Sequence, residues 1–506
     1  MHPNLILLAI LLAKSLVLLG ILLAVGLGTY AVIRRLAPHP DYRFTLFGIA
    51  LIVGPILMSW LFTILLYIAP GQPAAFYLIL PLVPFLGFTL FGLSQARRDL
   101  GSSLANFFTR PAVSLFNLGI GLSAFVCLVF GLGGLVALAI AVPANANDPL
   151  EYFSLARHLA ETRNGWDYPI IDTEATDGFT ARWTHPLGYI NLLTYSYLLQ
   201  GTGETSFVAR FVAPYFAFAL AILLIAFAGF RRKVSGLLTA LFLVSTPLFY
   251  GLVVQYHIDP TRIAAFTAAI AATWLVAQAP SVPRGFLAGL ACGASMFCHS
   301  IGILTLPIAL PIYILLARRA RIWVHIVVVV QMLLLSLLML SLQYSINMSV
   351  FGSPIADSVD IWSYPELGVE HSRLVERMME TPIDRLVNGA FMGFRQIDLF
   401  GPFYYVFLLA LGVWLWGNRA AWSRPFQFLR KQVWRSEADP AIPALLVVLG
   451  YTGIMLLTLI AGTDLAVKNA RYVLTMQPFL LIFAVRILMP AFFAEPESTG
   501  REMEDD

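Results

Sequence analysis

Ionisable side chains are scarce in this chain, and those that survive gather at the ends of apolar stretches: Asp148 and Glu151, His185, Asp259 and Arg262, His299, and Lys468 and Arg471. Charge held at a membrane edge is costly, so its presence marks a site by default. A carboxylate there can take a proton from a hydroxyl, and a guanidinium can hold a phosphate through parallel N–H donors. Asn147-Asp148-Pro149-Leu150-Glu151-Tyr152 closes one apolar stretch and opens a helix. One reading is a cap, with Asp148 at the N-cap, Pro149 at the first helical position and Glu151 completing a capping box. The other makes one carboxylate a general base or a ligand for a divalent cation, since a capping Asp keeps a second oxygen.

The octapeptide Gln255-Tyr256-His257-Ile258-Asp259-Pro260-Thr261-Arg262 is denser. Arg262, one turn into an apolar segment, either pairs with Asp259 or holds an anion. His299-Ser300 falls where a turn is required between two apolar segments, and His185-Pro186 precedes another helix. Lys468-Asn469-Ala470-Arg471-Tyr472 leads into the last apolar segment, where basic residues either snorkel or bind phosphate. No metal-ligand spacing is present, so a divalent cation is neither required nor excluded.

The elements that must position these groups are membrane helices. Hydrophobic residues make up 59% of the 506 and charged residues only 12%, with a mean hydropathy of +0.80. Apolar runs long enough to cross about 30 Å of hydrocarbon recur along the chain. They fall at roughly 4–33, 45–69, 76–94, 112–142, 207–230, 235–252, 261–279, 285–299, 301–317, 322–346, 400–417, 440–461 and 472–492. The expected fold is all-α and polytopic, with about thirteen transmembrane helices. The first segment is too long for the apolar core of a signal peptide and is expected to be retained. The net charge of +4 comes from Lys and Arg in short loops and does not argue for nucleic acid. Cys127, Cys292 and Cys298 lie inside apolar stretches and imply no disulfide framework.

Basic residues alternate between loops: Arg34, Arg35 and Arg43; Arg97, Arg98 and Arg110; Arg231, Arg232 and Lys233; Arg284; Arg318, Arg319 and Arg321; and a group from Arg419 to Arg435. The positive-inside rule makes these loops cytoplasmic and puts the ionisable groups of the opening on the other face. That face receives two long loops, about 143–206 and 347–399. Within the first, 150–161 is amphipathic and 187–199 reaches only about 20 Å, too short to span, so both are expected to lie along the interface.

In this order the motifs resemble a family. Asp148…Glu151-Tyr152 with Leu155-Ala156-Arg157, then His185-Pro186-Leu187 with Gly201 and Arg210, resembles the first luminal or periplasmic loop of the GT-C glycosyltransferases. The likeness is to those related to protein O-mannosyltransferases and the lipid A aminoarabinose transferase. Asp259, Cys298-His299-Ser300, Phe351-Gly352-Ser353-Pro354 and Arg471-Tyr472-Val473-Leu474 look similar to later segments of that family. His185 is followed by Pro-Leu where relatives read Pro-Pro, and His299 stands where a Lys is common.

The resemblance implies a GT-C-like catalytic core (112–492); three N-terminal transmembrane helices (1–111) stand before it as a departure from the family pattern, and the positive-inside rule makes the acidic tail (493–506) cytoplasmic. The resemblance also implies a bacterial inner-membrane enzyme that moves a sugar, on the periplasmic face, from a polyprenyl-phosphate donor to a glycan, lipid or protein acceptor. Asp148 would then be the general base of an inverting displacement, with Glu151 orienting it or the acceptor. Arg471, helped by Arg262 or His299, would stabilise the departing phosphate, and Asp259 would hold Arg262. His185, Tyr256, Lys468 and Tyr472 complete the expected substrate-binding set, and no organic cofactor is implied. Two other classes stay open. One is a polytopic transporter or lipid-linked glycan flippase, since charged helix ends also describe a substrate pathway. The other is a non-catalytic partner in envelope polysaccharide assembly whose carboxylates only cap helices.

Overall fold

The computed structural model describes residues 3–38, 40–109, 115–167, 186–230, 233–351, 392–419, 439–460 and 470–492. His185, Lys468, the tail 493–506 and most of the loop 347–399 lie outside the described residues. Among the described residues every regular element is helical. The N-terminal group is α1 (Pro3–Leu36), α2 (Arg43–Ile68), α3 (Ala74–Ile79) and α4 (Val83–Thr109), followed by α5 (Leu115–Ala141). Two helices of the first long loop are α6 (Asn147–Thr162) and α7 (Gly188–Gln200). Next come α8 (Val212–Phe227), α9 (Lys233–Val244), α10 (Pro247–Val254), α11 (Asp259–Gln278), α12 (Val282–Cys298), α13 (Thr305–Leu316) and α14 (Ile322–Phe351). The chain ends in α15 (Phe403–Gly417), α16 (Ala441–Ile460), α17 (Ala470–Val473) and α18 (Gln477–Phe492).

Among the described residues eight helices are long and apolar enough to cross a membrane, or nine if α9 and α10 form one broken span. Four further apolar helices, Val282–Cys298, Ser300–Leu316, Phe403–Gly417 and Ala441–Leu457, are shorter. The chain is therefore an all-α, polytopic membrane protein. The α9–α10 pair bends by 65°, and the break falls at Thr246-Pro247. A proline there lacks the N–H that would continue the ladder and pushes the preceding residue out of helical conformation.

At the centre stands α11, every residue of which is buried. Its alanines at 264, 265, 268, 269, 271 and 272 let α2, α8, α12 and α13 approach closely. The hydroxyls of Thr267 and Thr273 satisfy themselves on the carbonyls one turn back, each at 2.8 Å. Because α11 is enclosed, whatever its first turn carries is held at the middle of the protein. In contrast α1, the α3–α4 unit, α5 and α14 keep most of their apolar side chains on the outside, where lipid would meet them.

The first loop corrects one expectation. Only α6 has a buried apolar side, formed by Tyr152, Phe153, Leu155, Ala156 and Leu159, opposite an exposed Arg157–Glu161 pair at 2.7 Å. Instead of lying exposed at a surface, α7 is buried along almost its whole length, against α2, α3 and α6. Tyr189, Ile190, Leu192, Leu193, Tyr195, Tyr197 and Leu198 surround its axis with apolar surface, and such a helix belongs inside protein. Its entry is tight: a Cβ on Gly188 would lie 2.5 Å from the carbonyl oxygen of Phe297 on α12. Ser59 on α2 clamps the same residue by donating to the Gly188 carbonyl at 2.6 Å.

Helix α2 also relates the two ends of the structure. Its last turn meets the end of α6, where the Trp166 indole N–H donates to the Tyr67 carbonyl at 3.0 Å. Its first residue, Arg43, reaches Asp99 of α4 at the opposite end, about 39 Å away for 26 residues.

Candidate functional site

Asp148, His257, Asp259, Arg262 and Arg471 converge from α6, the α10–α11 link, the start of α11 and α17. Arg471 is the hub. Its Nη1 lies 2.6 Å from Asp148 Oδ2, 2.9 Å from His257 Nδ1 and 3.7 Å from Asp259 Oδ2. Behind it, Arg262 Nη2 lies 2.6 Å from Asp259 Oδ1 and donates at 2.6 Å to the main-chain carbonyl of Arg471. Two carboxylates thus face two guanidiniums, and the formal charges cancel.

Exposure is graded across the group. The Arg262 and Asp259 side chains are 0% and 2% exposed, whereas Asp148 and Arg471 are 12% and 18% exposed. The inner pair is a scaffold, and the outer pair is the part a ligand can reach. Removing one partner of the inner pair would leave an uncompensated buried charge, a loss of about 3–5 kcal/mol. Arg262 Nε and Nη1 make no hydrogen bond, and the guanidinium instead faces the Tyr472 ring, with Cζ 5.2 Å from its centroid.

Asp148 corrects the capping expectation. Helix α6 begins two residues earlier than that reading, with Ala146 as its N-cap and no side-chain cap from it, so Asp148 sits inside the first turn. Its carboxylate reaches Arg471 across 323 residues of chain. Likewise Asp259 is the first residue of α11, after an Ile258 N-cap, and pairs with Arg262. Glu151 lies half-buried three residues beyond Asp148.

The α10–α11 link explains how His257 and Asp259 come to face α6. Tyr256 N–H donates to Val253 at 3.1 Å and His257 N–H to Leu252 at 3.0 Å, with Tyr256 in the left-handed region at φ 61°. This is the Schellman closure, which normally takes Gly at the left-handed position. A side chain there costs roughly 1–2 kcal/mol, and Tyr256 offsets it through its ring. Its hydroxyl donates to the Val142 carbonyl at 2.5 Å, its ring packs on Phe153 at 5.9 Å, and its carbonyl accepts from the Tyr189 hydroxyl at 2.7 Å. One residue therefore fastens the link to the end of α5, to α6 and to α7.

His257, absent from the expected site residues, is drawn in by this turn. Burial lowers the basicity of its imidazole, Asp259 opposes that, and Arg471 reinforces it. The ring is neutral at pH 7, with Nδ1 accepting from Arg471 and the proton on Nε2. Tyr152, also absent from the expected set, is pushed well above the ordinary phenol range by burial, with Asp148 and Asp259 adding to the effect. It remains a neutral hydroxyl beside the cluster. Both residues lie in the quoted motifs, two positions before Asp259 and four after Asp148, and that adjacency was the signal available.

His299 stands one layer further in. Its Nδ1 accepts the Ile301 N–H at 3.0 Å, so it caps the 3-10 turn Ser300–Leu304, and its ring meets Tyr472 edge-on at 6.0 Å. Tyr472 in turn has its carbonyl held by the Tyr451 hydroxyl of α16 at 2.9 Å. Among the described residues no group of three or more His, Cys, Asp or Glu could hold a metal ion. Comparison with protein-family models, with curated proteins and with solved structures returns no match to this chain.

Proposed function

We propose that the cluster is the active site of a GT-C-like membrane glycosyltransferase, which transfers a sugar from a polyprenyl-phosphate donor to an acceptor hydroxyl. The observation that carries this reading is the 2.6 Å pairing of Asp148 with Arg471 at the rim of a buried Asp259–Arg262 scaffold. Donor phosphate takes Asp148's place on Arg471, which His257 and Asp259 keep aimed from behind. Asp148, released, accepts the proton of the acceptor hydroxyl as its oxygen bonds to the anomeric carbon. The bond from that carbon to the phosphate oxygen breaks, its electron pair leaves on the phosphate, and Arg471 neutralises the charge. Attack opposite the leaving group inverts the anomeric centre.

The thirteen crossings expected from sequence follow if the bent pair and each of the four shorter helices cross once. With the arginine-rich loops cytoplasmic, the cluster faces the periplasm of a bacterial inner membrane. The broken α9–α10 span favours a second reading, a transporter or lipid-linked glycan flippase, because discontinuous helices line many transport sites. Purified full-length protein in detergent, given radiolabelled polyprenyl-phosphate sugar and membrane-extract acceptors, separates the two. Under the first reading transfer proceeds without any gradient, and Asp148→Asn lowers it by about 100-fold or more. Near-wild-type transfer by Asp148→Asn would return that residue to a structural role, and no transfer by the native protein would favour transport.

A further inference from the structure

At the opposite end of α2 from the cluster, Asp99 of α4 gathers two of three neighbouring arginines. Arg34 Nε lies 2.8 Å from Oδ2 and Nη2 donates to Oδ1 at 3.0 Å, Arg43 Nη1 approaches Oδ1 at 3.0 Å, and the Tyr30 hydroxyl donates to Oδ2 at 2.6 Å. The carboxylate's acceptor sites are thus occupied. Arg35 takes no part, and among the described residues it stands against the Phe91 ring at 4.7 Å. Two guanidiniums therefore share one carboxylate with a third beside them, an excess of two positive charges among these four groups.

Arg34, Arg35 and Arg43 line a cleft of about 300 Å³ together with Pro38 and Gln95. Gln95 is only 5% exposed, yet its Oε1 makes no hydrogen bond. A buried acceptor without a partner is costly unless a donor such as a hydroxyl enters. Surface arginines that only satisfy the positive-inside rule need neither an anchoring acid nor a cavity.

We propose that this cleft binds a phosphate-bearing anion, either the headgroup phosphate of a lipid or a free phosphate. Asp99 and Tyr30 fix Arg34 and Arg43 at its mouth, Arg35 supplies a third fork, and Gln95 Oε1 accepts from a hydroxyl carried by the anion or its headgroup. Planar guanidinium forks match phosphate oxygens, and a phosphate's charge of about −1.5 to −2 balances the excess. The proposal stands apart from the glycosyl-transfer reading, because the two sites lie at opposite ends of α2.

The test uses full-length protein in maltoside detergent, with two probes: phosphatidylglycerol, scored by mass spectrometry of retained lipid, and radiolabelled inorganic phosphate, scored by equilibrium dialysis. We expect R35Q/R43Q to weaken binding roughly twenty-five-fold, about fivefold per arginine. R98Q, which changes an exposed arginine outside the cleft, should leave it unchanged. Should the double variant not fold, R35Q alone, which breaks no ion pair to Asp99, carries the fivefold expectation. Phosphatidylglycerol retained against excess phosphate assigns the site to lipid, and phosphate bound in its own right assigns it to the free anion. Failure of both probes to bind the native protein, an undiminished affinity in the arginine variants, or an equal loss in R98Q would each overturn the proposal.

Discussion

The strength of the Asp148–Arg471 pairing is open to direct measurement by a double-mutant cycle of Asp148→Asn, Arg471→Gln and the pair. At 2.6 Å and an effective dielectric of about 20, two unit charges attract by roughly 6 kcal/mol. Desolvating two side chains that are 12% and 18% exposed returns much of that. Hydrogen bonds to charged groups leave about 1.5–3 kcal/mol net. A coupling of about 2 kcal/mol is therefore expected, well above the roughly 0.6 kcal/mol average for hydrogen bonds between membrane helices. The readout is unfolding of the purified protein in mixed micelles titrated with sodium dodecyl sulfate, each variant measured alongside the native chain. Arg471→Gln alone should cost more than Asp148→Asn alone, because it also strips Asp259 and His257 of a partner. A coupling below about 0.5 kcal/mol, or the reverse order of the single variants, would show that Arg471 is not the hub the geometry makes it.

Two further outcomes follow from the α10–α11 link. At position 256, Gly should be better tolerated than Ala by about 1–2 kcal/mol, because both lose the ring but only Ala keeps the left-handed penalty; equal stabilities in the same titration would refute the strain argument. His257 sets a pH dependence. Its folded-state pKa lies below the unfolded value of about 6.5, so its contribution is fully present above that pH and is lost as pH falls through the lowered value. Native protein should lose stability on acidification by up to about 1.4 kcal/mol per pH unit in that window, and His257→Gln should flatten the slope. A steeper acid limb in the variant would reverse the assignment.

The two ends of this structure were not equally legible in the sequence. Eight of the thirteen apolar segments read from the sequence are, among the described residues, single helices long enough to cross, because hydrocarbon sets the length that a crossing needs. Asp148, Asp259, Arg262 and Arg471 stood out for the same reason, being charges where charge is costly. What sequence could not carry was the register of helix starts: Asp148 looks like a cap until α6 begins at Asn147. For α7, length argues against a crossing but says nothing of what covers it, and its apolar girdle was the better guide to its burial. His257 escaped because its position depends on a non-glycine residue closing a Schellman turn, which propensity argues against. The Asp99 anchor of the basic cleft was equally hidden, since Tyr30, Arg34, Arg43 and Asp99 meet only through tertiary packing.

Arg262 grips residue 471 by its main-chain oxygen and not by its side chain. That single bond is thus indifferent to the side chain at 471, whereas the guanidinium separately faces Asp259 at 3.7 Å. Exchanging Arg471 for Lys keeps both the main-chain anchor and a positive charge toward Asp259 while altering the face turned toward a visitor. Position 471 is in effect a tip on a fastened handle, interchangeable among cations and not among residues at large.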